Sequence, residues 1–428
     1  MNVLHIIKNS LPFISGSTIR SKYIFKYQRK FANVFVTTTY LYKNRNNMEI
    51  INSIPYFRMN GKISPLLRFY HKWYLRIRAL TYRFFSIDIT NKILELPLSF
   101  FMKRHVKNLV KTYKIDLIHN HSQKFNGKYT LEIVKKLNIP YVYEVRGFAE
   151  KSLLATTKGW RMPHKKIIEF IFRKSRIRET KILKSADFIT TLSEPMKDLL
   201  VERGIRKEKI IVVPNSIDKE LLKPVEEEHN LKEKLLLKDY FILGHFGRLR
   251  WYEGIETLLG ALRIVLDHGK KIKLIIAGGS DDRYLIYLKK EIKNKKLNNH
   301  VSFLGFIPHE EINKYFSITD IIVIPRNNIS VCRVVTPLKP IDAMAFKTLV
   351  MASDLPALRY TITPYKTGIL FEPENPEDLA NKILEYMEKP EQYQEIITNA
   401  YNNIIKNFSW ESVVPRYEKA YNIVIKNN

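Results

Sequence analysis

The residues best suited to chemistry stand at positions 336–345, a stretch that reads TPLKPIDAMA. Lys339 supplies a full positive charge, and Asp342, about one helical turn later, offers a carboxylate that accepts hydrogen bonds from sugar hydroxyl groups. Apolar runs at 321–325 and 348–352 predict buried strands on either side, and the apolar spacing between them predicts a helix. Because a helix N-terminus favours anions, the stretch suits a phosphate next to a sugar. The alternative interpretation is an ordinary β-α-β corner with a solvated lysine.

Other candidate residues follow predicted strands, where parallel sheets place their ligands. His119 ends the strand predicted at 116–119, and Arg146 follows the strand at 140–145. Gly16 lies in the loop after the first strand, and Gly247 with Arg248 follows the strand at 240–245. Glycine lets the backbone approach a ligand closely. One such glycine is weak evidence, but the repetition indicates a ligand site.

Strands and helices alternate along the whole chain, which predicts parallel sheets covered by helices. The 428 residues exceed one typical core, so we expect two domains. The turn-forming residues at 214–216 mark the best boundary. We therefore predict an N-terminal domain at 1–214, completed by a C-terminal helix at 410–428, and a second domain at 215–409. The helices predicted for the first domain include 19–30, 129–137 and 165–184.

The net charge of +30 is unevenly distributed. Residues 1–200 hold 38 Lys and Arg against 12 Asp and Glu, whereas the remaining residues hold 34 against 30. Such a field attracts anionic partners, namely nucleic acid, anionic lipid headgroups or a phosphorylated acceptor.

Residues 60–114 mix basic and aromatic side chains. Leu67, Tyr70, Tyr74, Ile77, Leu80 and Phe84 recur at helical spacing among arginines and lysines. A basic amphipathic helix with aromatic residues suits a membrane interface, whereas the aromatic residues by themselves also suit a protein core. Stacking on single-stranded nucleic acid is a third interpretation, but no nucleic-acid module pattern accompanies it. We expect an anionic membrane surface as partner and no nucleic acid.

The sequence also bears on the compartment. Cys332 is the single cysteine, which favours a reducing environment over a disulfide framework. The N-terminus lacks the pattern of a signal peptide, and no apolar run is long enough to span a bilayer. We expect a cytoplasmic protein that is peripheral on the inner face of the cell membrane.

In their order, these motifs resemble those of the glycosyltransferases of the GT-B fold, and among them glycosyltransferase family 4. The matching stretches are NSLPFISGSTIR, DLIHNHS, YEVRGFAE, ADFITTLSE, PNSID, HFGRL, LIIAGG, VSFLGFIPHEEI, PLKPIDAMA, LVMASD, TGILFEPENPEDLA and FSW. Together they cover almost the whole chain apart from roughly 45–110. The forms YEVRGF and TPLKP look most like a bacterial subgroup that makes cell-surface or exported polysaccharides.

The resemblance implies two Rossmann-like domains that face each other across a cleft, with the acceptor bound by the first and the nucleotide sugar by the second. It implies transfer that retains the anomeric configuration without a metal or a cofactor, from a UDP- or GDP-linked sugar to a lipid-linked or glycan acceptor. Positive groups must then meet the charge on the leaving diphosphate. The implied catalytic residues are Arg248, Lys339, Arg146 and His119. The implied donor-binding residues are Gly16, Gly247, Phe306, Arg326, Arg333, Pro337, Leu338 and Asp342.

The sequence departs from the family pattern at its acidic residues. The family has two glutamates eight positions apart, of which Asp342 matches the second, while Val334, or Arg333 in a longer loop, stands at the first. Glu253 stands where a basic residue is expected. These departures leave open a degenerate scaffold that docks at a membrane and partners an active enzyme. Nucleotide-sugar epimerisation is a third hypothesis, but we find no acid/base carboxylate pair for it.

Overall fold

The structure is a computed structural model, and it describes residues 1–11, 13, 15–38, 48–58, 91–121, 124–148, 150–152, 155, 165–222, 229–279, 282–308 and 311–426. The aromatic and basic helix predicted around Leu67 to Phe84 lies outside these residues. The chain forms two compact units. The first contains Met1–Leu192, Met196–Val213 and Val414–Asn428, and the second contains Ser193–Pro195 and Pro214–Val413.

The first unit is built on an eight-stranded sheet. Its strands are β1 (Asn2–Ile7), β2 (Asn33–Thr38), β3 (Met48–Ile51), β4 (Ile54–Phe57), β5 (Leu117–His121), β6 (Tyr141–Val145), β7 (Phe188–Thr191) and β8 (Ile210–Val212). Its helices are α1 (Gly16–Gln28), α2 (Asn91–Thr112), α3 (Lys124–Leu137), α4 (Lys165–Ser185) and α5 (Glu194–Glu202, which begins in the second unit), joined by the last helix of the chain.

The strand order in this sheet is β3-β4-β2-β1-β5-β6-β7-β8, and the pairings are parallel except for the antiparallel hairpin of β3 and β4. The chain leaves β1 in one direction to reach β2 and later returns to β5 on the other side. Loops diverge at such a switch point and leave a crevice at the carboxyl ends of the strands. The strand order therefore predicts a crevice beyond the carboxyl ends of β1 and β5.

The second unit is built on a six-stranded parallel sheet. Its strands are β9 (Phe241–Phe246), β10 (Ile272–Ala277), β11 (Val301–Gly305), β12 (Ile321–Ile324), β13 (Leu349–Ser353) and β14 (Ile369–Phe371). Its helices are α6 (His229–Lys234), α7 (Ile255–Asp267), α8 (Asp282–Asn294), α9 (Ile312–Ser317), α10 (Ser330–Val334), α11 (Lys339–Ala345), α12 (Pro356–Arg359), α13 (Pro376–Glu388), α14 (Gln394–Asn407) and α15 (Trp410–Val413). The last helix of the chain, α16 (Pro415–Lys426), belongs to the first unit.

The strand order in the second sheet is β11-β10-β9-β12-β13-β14, with parallel pairing throughout. This is the order of a Rossmann fold, and its switch point lies between β9 and β12. The central strands are continuous apolar runs because helices cover both faces of such a sheet. Leu243, Ile276, Val323 and Met351 are fully buried in its core together with Leu258 and Leu262 of α7.

The predicted alternation of strands and helices is confirmed, whereas several predicted boundaries are wrong. Helix α1 begins at Gly16 rather than at 19, because Ser15 caps it: the Ser15 hydroxyl accepts from the Thr18 N–H, and the Thr18 hydroxyl accepts from the Ser15 N–H. The C-terminal helix predicted at 410–428 is two helices, α15 and α16, and Pro415 begins the second. Proline fits the first turn of a helix but not its interior.

Candidate functional site

Four charged or titratable side chains meet at the switch point of the second sheet. His245 lies near the carboxyl end of β9, Arg326 follows β12, Glu253 ends a short 3-10 helix, and Lys339 opens α11. We call His245, Glu253, Arg326 and Lys339 the charged cluster. Because ligands of this fold bind outside the carboxyl ends of the strands, the cluster occupies the expected position for a ligand site.

The members of the charged cluster contact each other directly. Nζ of Lys339 donates to Oε2 of Glu253 at 2.8 Å and lies 2.9 Å from Nε2 of His245. Arg326 donates to Oε1 of Glu253 at 3.4 Å and to the Val335 carbonyl at 2.8 Å. One carboxylate is thus shared by two cations, so the cluster keeps one excess positive charge when His245 is neutral.

Two glycines allow this close approach of backbone and side chains. Gly254 has φ +71°, and a Cβ on it would lie 1.7 Å from the Pro325 carbonyl oxygen. Gly247 has φ +134°, and a Cβ on it would lie 2.6 Å from Cε of Lys339. Both conformations are ones that L side chains rarely adopt. The glycines therefore set Glu253 against β12 and Lys339 against the end of β9.

The cluster keeps its charges at neutral pH. Burial by itself would raise the pKa of Glu253, but Lys339 and Arg326 outweigh it and lower that pKa to about 2. Burial and the neighbouring Lys339 lower the pKa of His245 to about 3, so this imidazole is neutral. Burial lowers the pKa of Lys339, and Glu253 opposes that shift. The arrangement suits a site that binds an anion, with the ammonium group of Lys339 positioned to contact it.

The predicted catalytic residue Arg248 and the other predicted donor-binding residues of the second unit lie around this edge. Arg248 follows Gly247 directly and is exposed. Arg333 on α10 is exposed and donates to the Asn328 side chain at 3.0 Å. Pro337 and Leu338 are half-buried in the loop that leads into α11, and Phe306 after β11 is 64% exposed.

Asp342 lies on α11, one turn after Lys339, and is half-buried. Burial raises the pKa of its carboxyl group to about 7. Near neutral pH this group is therefore divided between a carboxylate, which accepts hydrogen bonds, and a carboxylic acid, which also donates one. Helix α11 has only seven residues, so Lys339 rather than the helix dipole supplies most of the positive charge here.

His119 and Arg146 of the first unit belong to a second buried network, which is centred on Glu144. Oε1 of Glu144 accepts from Arg20 at 2.8 Å and from the Tyr417 hydroxyl at 2.5 Å, and Oε2 accepts from Nε of Arg146 at 2.5 Å. Burial would raise the pKa of Glu144, but Arg146 and Arg20 outweigh it and hold that pKa well below its usual value. Tyr417 lies on α16, so this network fastens the last helix to the first sheet.

Three imidazoles adjoin this network. His5 pairs in register with His119 across β1 and β5, and His121 lies on the same face two residues later. Nδ1 of His5 lies 2.8 Å from Nε2 of His121, and Nδ1 of His119 lies 2.6 Å from the Tyr421 hydroxyl.

These three side chains are buried, and one nitrogen from each lies within 4.8 Å of the others. Metal ligands have such spacing, but Nη2 of Arg146 lies 2.6 Å from Nδ1 of His121, and Arg20 is close by. Two guanidinium groups against one carboxylate make the cluster a poor environment for a further cation. Burial, reinforced by the nearby positive charges, lowers the pKa of all three histidines, which are therefore neutral.

The structure thus brings Lys339, Arg326 and Gly247 together in one unit, and His119 and Arg146 together in the other. Gly16 is exposed as the first residue of α1. Sequence reasoning treated Glu253 as a departure and did not select His245, Arg20 or Glu144. His245 and Glu144 lie at the carboxyl ends of apolar strands, which is the signal that selected His119 and would have selected them.

Comparison with known protein families identifies two matching models. The model described as Glycosyltransferase Family 4 matches residues 81–221, and the model described as Glycosyl transferases group 1 matches residues 226–403.

Two similar proteins illustrate the relationship. The alpha-monoglucosyldiacylglycerol synthase of Streptococcus pneumoniae is 27% identical over 282 residues, which is 65% of this chain and 60% of that protein. The chain thus spans less than two thirds of that relative. The capsular polysaccharide biosynthesis glycosyltransferase CapM of Staphylococcus aureus is 22% identical over 298 residues, which is 67% of this chain and 71% of that protein.

Solved structures show the same fold over the full length. A sucrose-phosphate synthase from Thermosynechococcus elongatus superposes with a TM-score of 0.77 at 19% identity and covers 100% of both chains. The Anabaena protein HepE in complex with UDP and glucose superposes with a TM-score of 0.72 at 17% identity, covering 99% of this chain and 100% of the other. With two parallel-sheet units and both family models in place, the chain belongs to the glycosyltransferases of the GT-B fold, with a family 4 region followed by a group 1 region.

Proposed function

We propose that this protein is a retaining, metal-independent glycosyltransferase that moves a hexosyl group from a UDP- or GDP-linked sugar to a lipid-linked or cell-surface glycan acceptor. The observation that carries the proposal is the charged cluster at the switch point of the second sheet, where Lys339 and Arg326 outnumber Glu253. Two relatives support the acceptor class, since one is named as a glucosyldiacylglycerol synthase and the other for capsular polysaccharide biosynthesis.

In this proposal the second unit receives the nucleotide sugar. The bond between the anomeric carbon and the β-phosphate oxygen breaks, so negative charge develops on the leaving diphosphate. Lys339 and Arg248 meet this charge, and the backbone at Gly247 approaches the phosphates. Asp342 accepts from the ribose hydroxyls, and the backbone at Phe306 contacts the base. The remaining donor contacts in this unit come from Arg326, Arg333, Pro337 and Leu338.

We assign binding of the acceptor to the first unit. Arg146 is the network residue most accessible to a substrate, because its side chain is 11% exposed whereas that of Glu144 is fully buried. His119 supports Arg146 indirectly, through the packing of the three imidazoles. A lipid-linked acceptor would require the enzyme to work at a membrane surface, in keeping with a peripheral protein on the inner face of the cell membrane. Among the described helices, none combines the length and apolar character needed to cross a bilayer.

The catalytically degenerate scaffold is the weaker hypothesis. This hypothesis is based on the absence of a carboxylate at Val334 and Arg333, where the family pattern has one. The charged cluster weighs against it, because charged groups with strongly shifted pKa values cluster at functional sites.

The test is a transfer assay with purified protein, a panel of uridine, guanosine and adenosine diphosphate sugars, and a glycolipid acceptor, with and without EDTA. We expect product from one donor class, with retained anomeric configuration and no loss in EDTA. Lys339→Ala should lower kcat by about 10²-fold, because a leaving-group contact is lost. Undiminished turnover in that variant, or nucleotide binding without transfer to any acceptor, would overturn the proposal.

A further inference from the structure

Helix α4 of the first unit presents one unusual exposed stripe. Phe170, Arg173, Lys174, Ile177, Lys181 and Lys184 recur at intervals of three and four residues, so they lie along one side of the helix. We call this set the α4 stripe. All six are exposed, with Phe170 at 56% and Ile177 at 47% of their full area. The stripe is about 21 Å long at 1.5 Å per residue and contains no acidic residue.

The opposite side of α4 explains why the stripe faces outward. Ile182 and Leu183 are buried, as is Glu179, which pairs with Arg203 at 3.5 Å. These residues fix the rotation of the helix about its axis. Ile177 is therefore not a surplus core residue, because buried side chains already occupy the core face of this half of the helix.

Helix α2 repeats the pattern. Phe100 is 62% exposed, and Lys103, Arg104, Lys107 and Lys111 follow it at the same spacing. Lys103 is paired with Glu132 of α3, while Arg104, Lys107 and Lys111 are exposed. Helix α3 packs against both α2 and α4, so the two stripes flank it on one layer of helices.

We propose that this layer, through the α4 stripe and the exposed side of α2, docks the protein onto an anionic lipid bilayer. Charge complementarity selects the partner, because each basic residue near a membrane surface contributes about 1 kcal/mol of attraction to anionic headgroups. Ile177 favours a bilayer over nucleic acid, since its aliphatic side chain offers no ring to stack on a base. Long lysine and arginine stems let their charges reach headgroups while Phe170 and Ile177 enter the acyl boundary.

The inference rests on the proposed function only in that a membrane-linked acceptor would require such docking. Binding is measured without donor or acceptor, and transfer to a water-soluble acceptor is measured separately. Loss of vesicle binding with intact transfer would therefore not affect the proposed function, and binding without transfer would not affect the docking surface.

The experiment is flotation of the full-length protein with phosphatidylcholine vesicles that contain or lack phosphatidylglycerol, at low and high salt. We expect binding that requires phosphatidylglycerol and weakens with salt. Phe170→Ser with Ile177→Ser, and separately Lys174→Glu with Lys181→Glu, should each weaken binding by about 10-fold or more. All four positions are exposed, so unchanged melting temperatures should show that the variants remain folded.

The matched control is Ile286→Ser with Lys290→Glu on α8 of the second unit, where both residues are also exposed. We expect this control to bind vesicles as the unaltered protein does. The proposal is overturned by binding that ignores lipid charge, by equal losses in the control, or by α4 variants that keep full binding. It is also overturned if the α4 variants lose binding to RNA or DNA fragments while vesicle binding persists.

Discussion

Lys339 shows how a half-buried cation can be kept charged and available. Its Nζ lies 2.8 Å from Glu253, and Glu253 also faces Arg326 at 3.4 Å. A lysine in such a buried position would lose its proton more easily without the carboxylate, because burial lowers its pKa. Glu253 thus acts as a positioning residue for Lys339. It stands where the sequence resemblance had led us to expect a basic residue.

Glu253→Gln tests this role. Removing the carboxylate takes away the interaction that raises the pKa of Lys339, so that pKa should fall further. If Lys339 must be charged, activity is lost as pH rises through its pKa, and the alkaline limb of the kcat profile should move to lower pH. The control is Glu233→Gln, which removes the exposed partner of Lys238 and should leave the profile unchanged. An unshifted alkaline limb in Glu253→Gln would refute the positioning role.

At the scale of elements, the turn between the 3-10 helix and α7 determines where Glu253 stands. Gly254 and Gly269 have nearly the same positive φ, +71° and +72°, but a Cβ on Gly269 meets nothing within 4 Å. Gly269→Ala should therefore cost only backbone strain, about 1 kcal/mol of unfolding free energy. Gly254→Ala adds a clash with the Pro325 carbonyl and should cost several times more, with loss of activity. Equal unfolding free energies by urea titration would contradict this prediction.

The histidine cluster under α16 makes stability depend on pH. A histidine in the unfolded chain titrates near 6.5, whereas burial and nearby positive charge lower the pKa of His121 to about 3 and those of His5 and His119 well below 6.5. Below pH 6.5 the unfolded chain gains protons that the folded chain does not, so stability falls as pH falls. Carboxylates such as Glu144 add to this loss only nearer pH 4.5.

We expect a loss of up to about 2 kcal/mol at pH 5 for each buried histidine. The measurement is urea unfolding at a series of pH values from 7.5 to 5. His121→Gln should reduce the dependence, and the exposed His268→Gln should not. If the pH dependence of the unfolding free energy is unchanged in His121→Gln, the histidine cluster is not its source.

Much of the fold could be predicted from the sequence, because apolar runs and turn residues fix strand and helix order locally. The strands around TPLKPIDAMA and the glycines after β9 are examples. The start of α1 could be missed because a reciprocal Ser15–Thr18 cap replaces the usual glutamate form of the motif. The Lys339–Glu253 pair joins residues 86 positions apart, and no local pattern reports such a contact. The contacts of Arg20 and Tyr417 with Glu144 join residues 124 and 273 positions apart, so they are invisible in sequence for the same reason.

At the scale of the whole molecule, charge and chemistry are divided between the two units. Residues 1–200 carry most of the positive excess, which includes the α4 stripe, whereas the charged cluster lies in the nearly balanced second half. This division is what we expect of a protein whose first unit meets an anionic surface and whose second unit binds an anionic donor. A donor site of this kind requires that Lys339 recognise the diphosphate rather than the nucleoside.

Calorimetric titration of a nucleoside diphosphate and its parent nucleoside, into the unaltered protein and into Lys339→Ala, tests that requirement most directly. We expect Lys339→Ala to weaken binding of the diphosphate by about 10-fold or more, because a charge-assisted contact is lost, while the affinity for the nucleoside stays the same. Equal affinity of both proteins for the nucleoside diphosphate would contradict it.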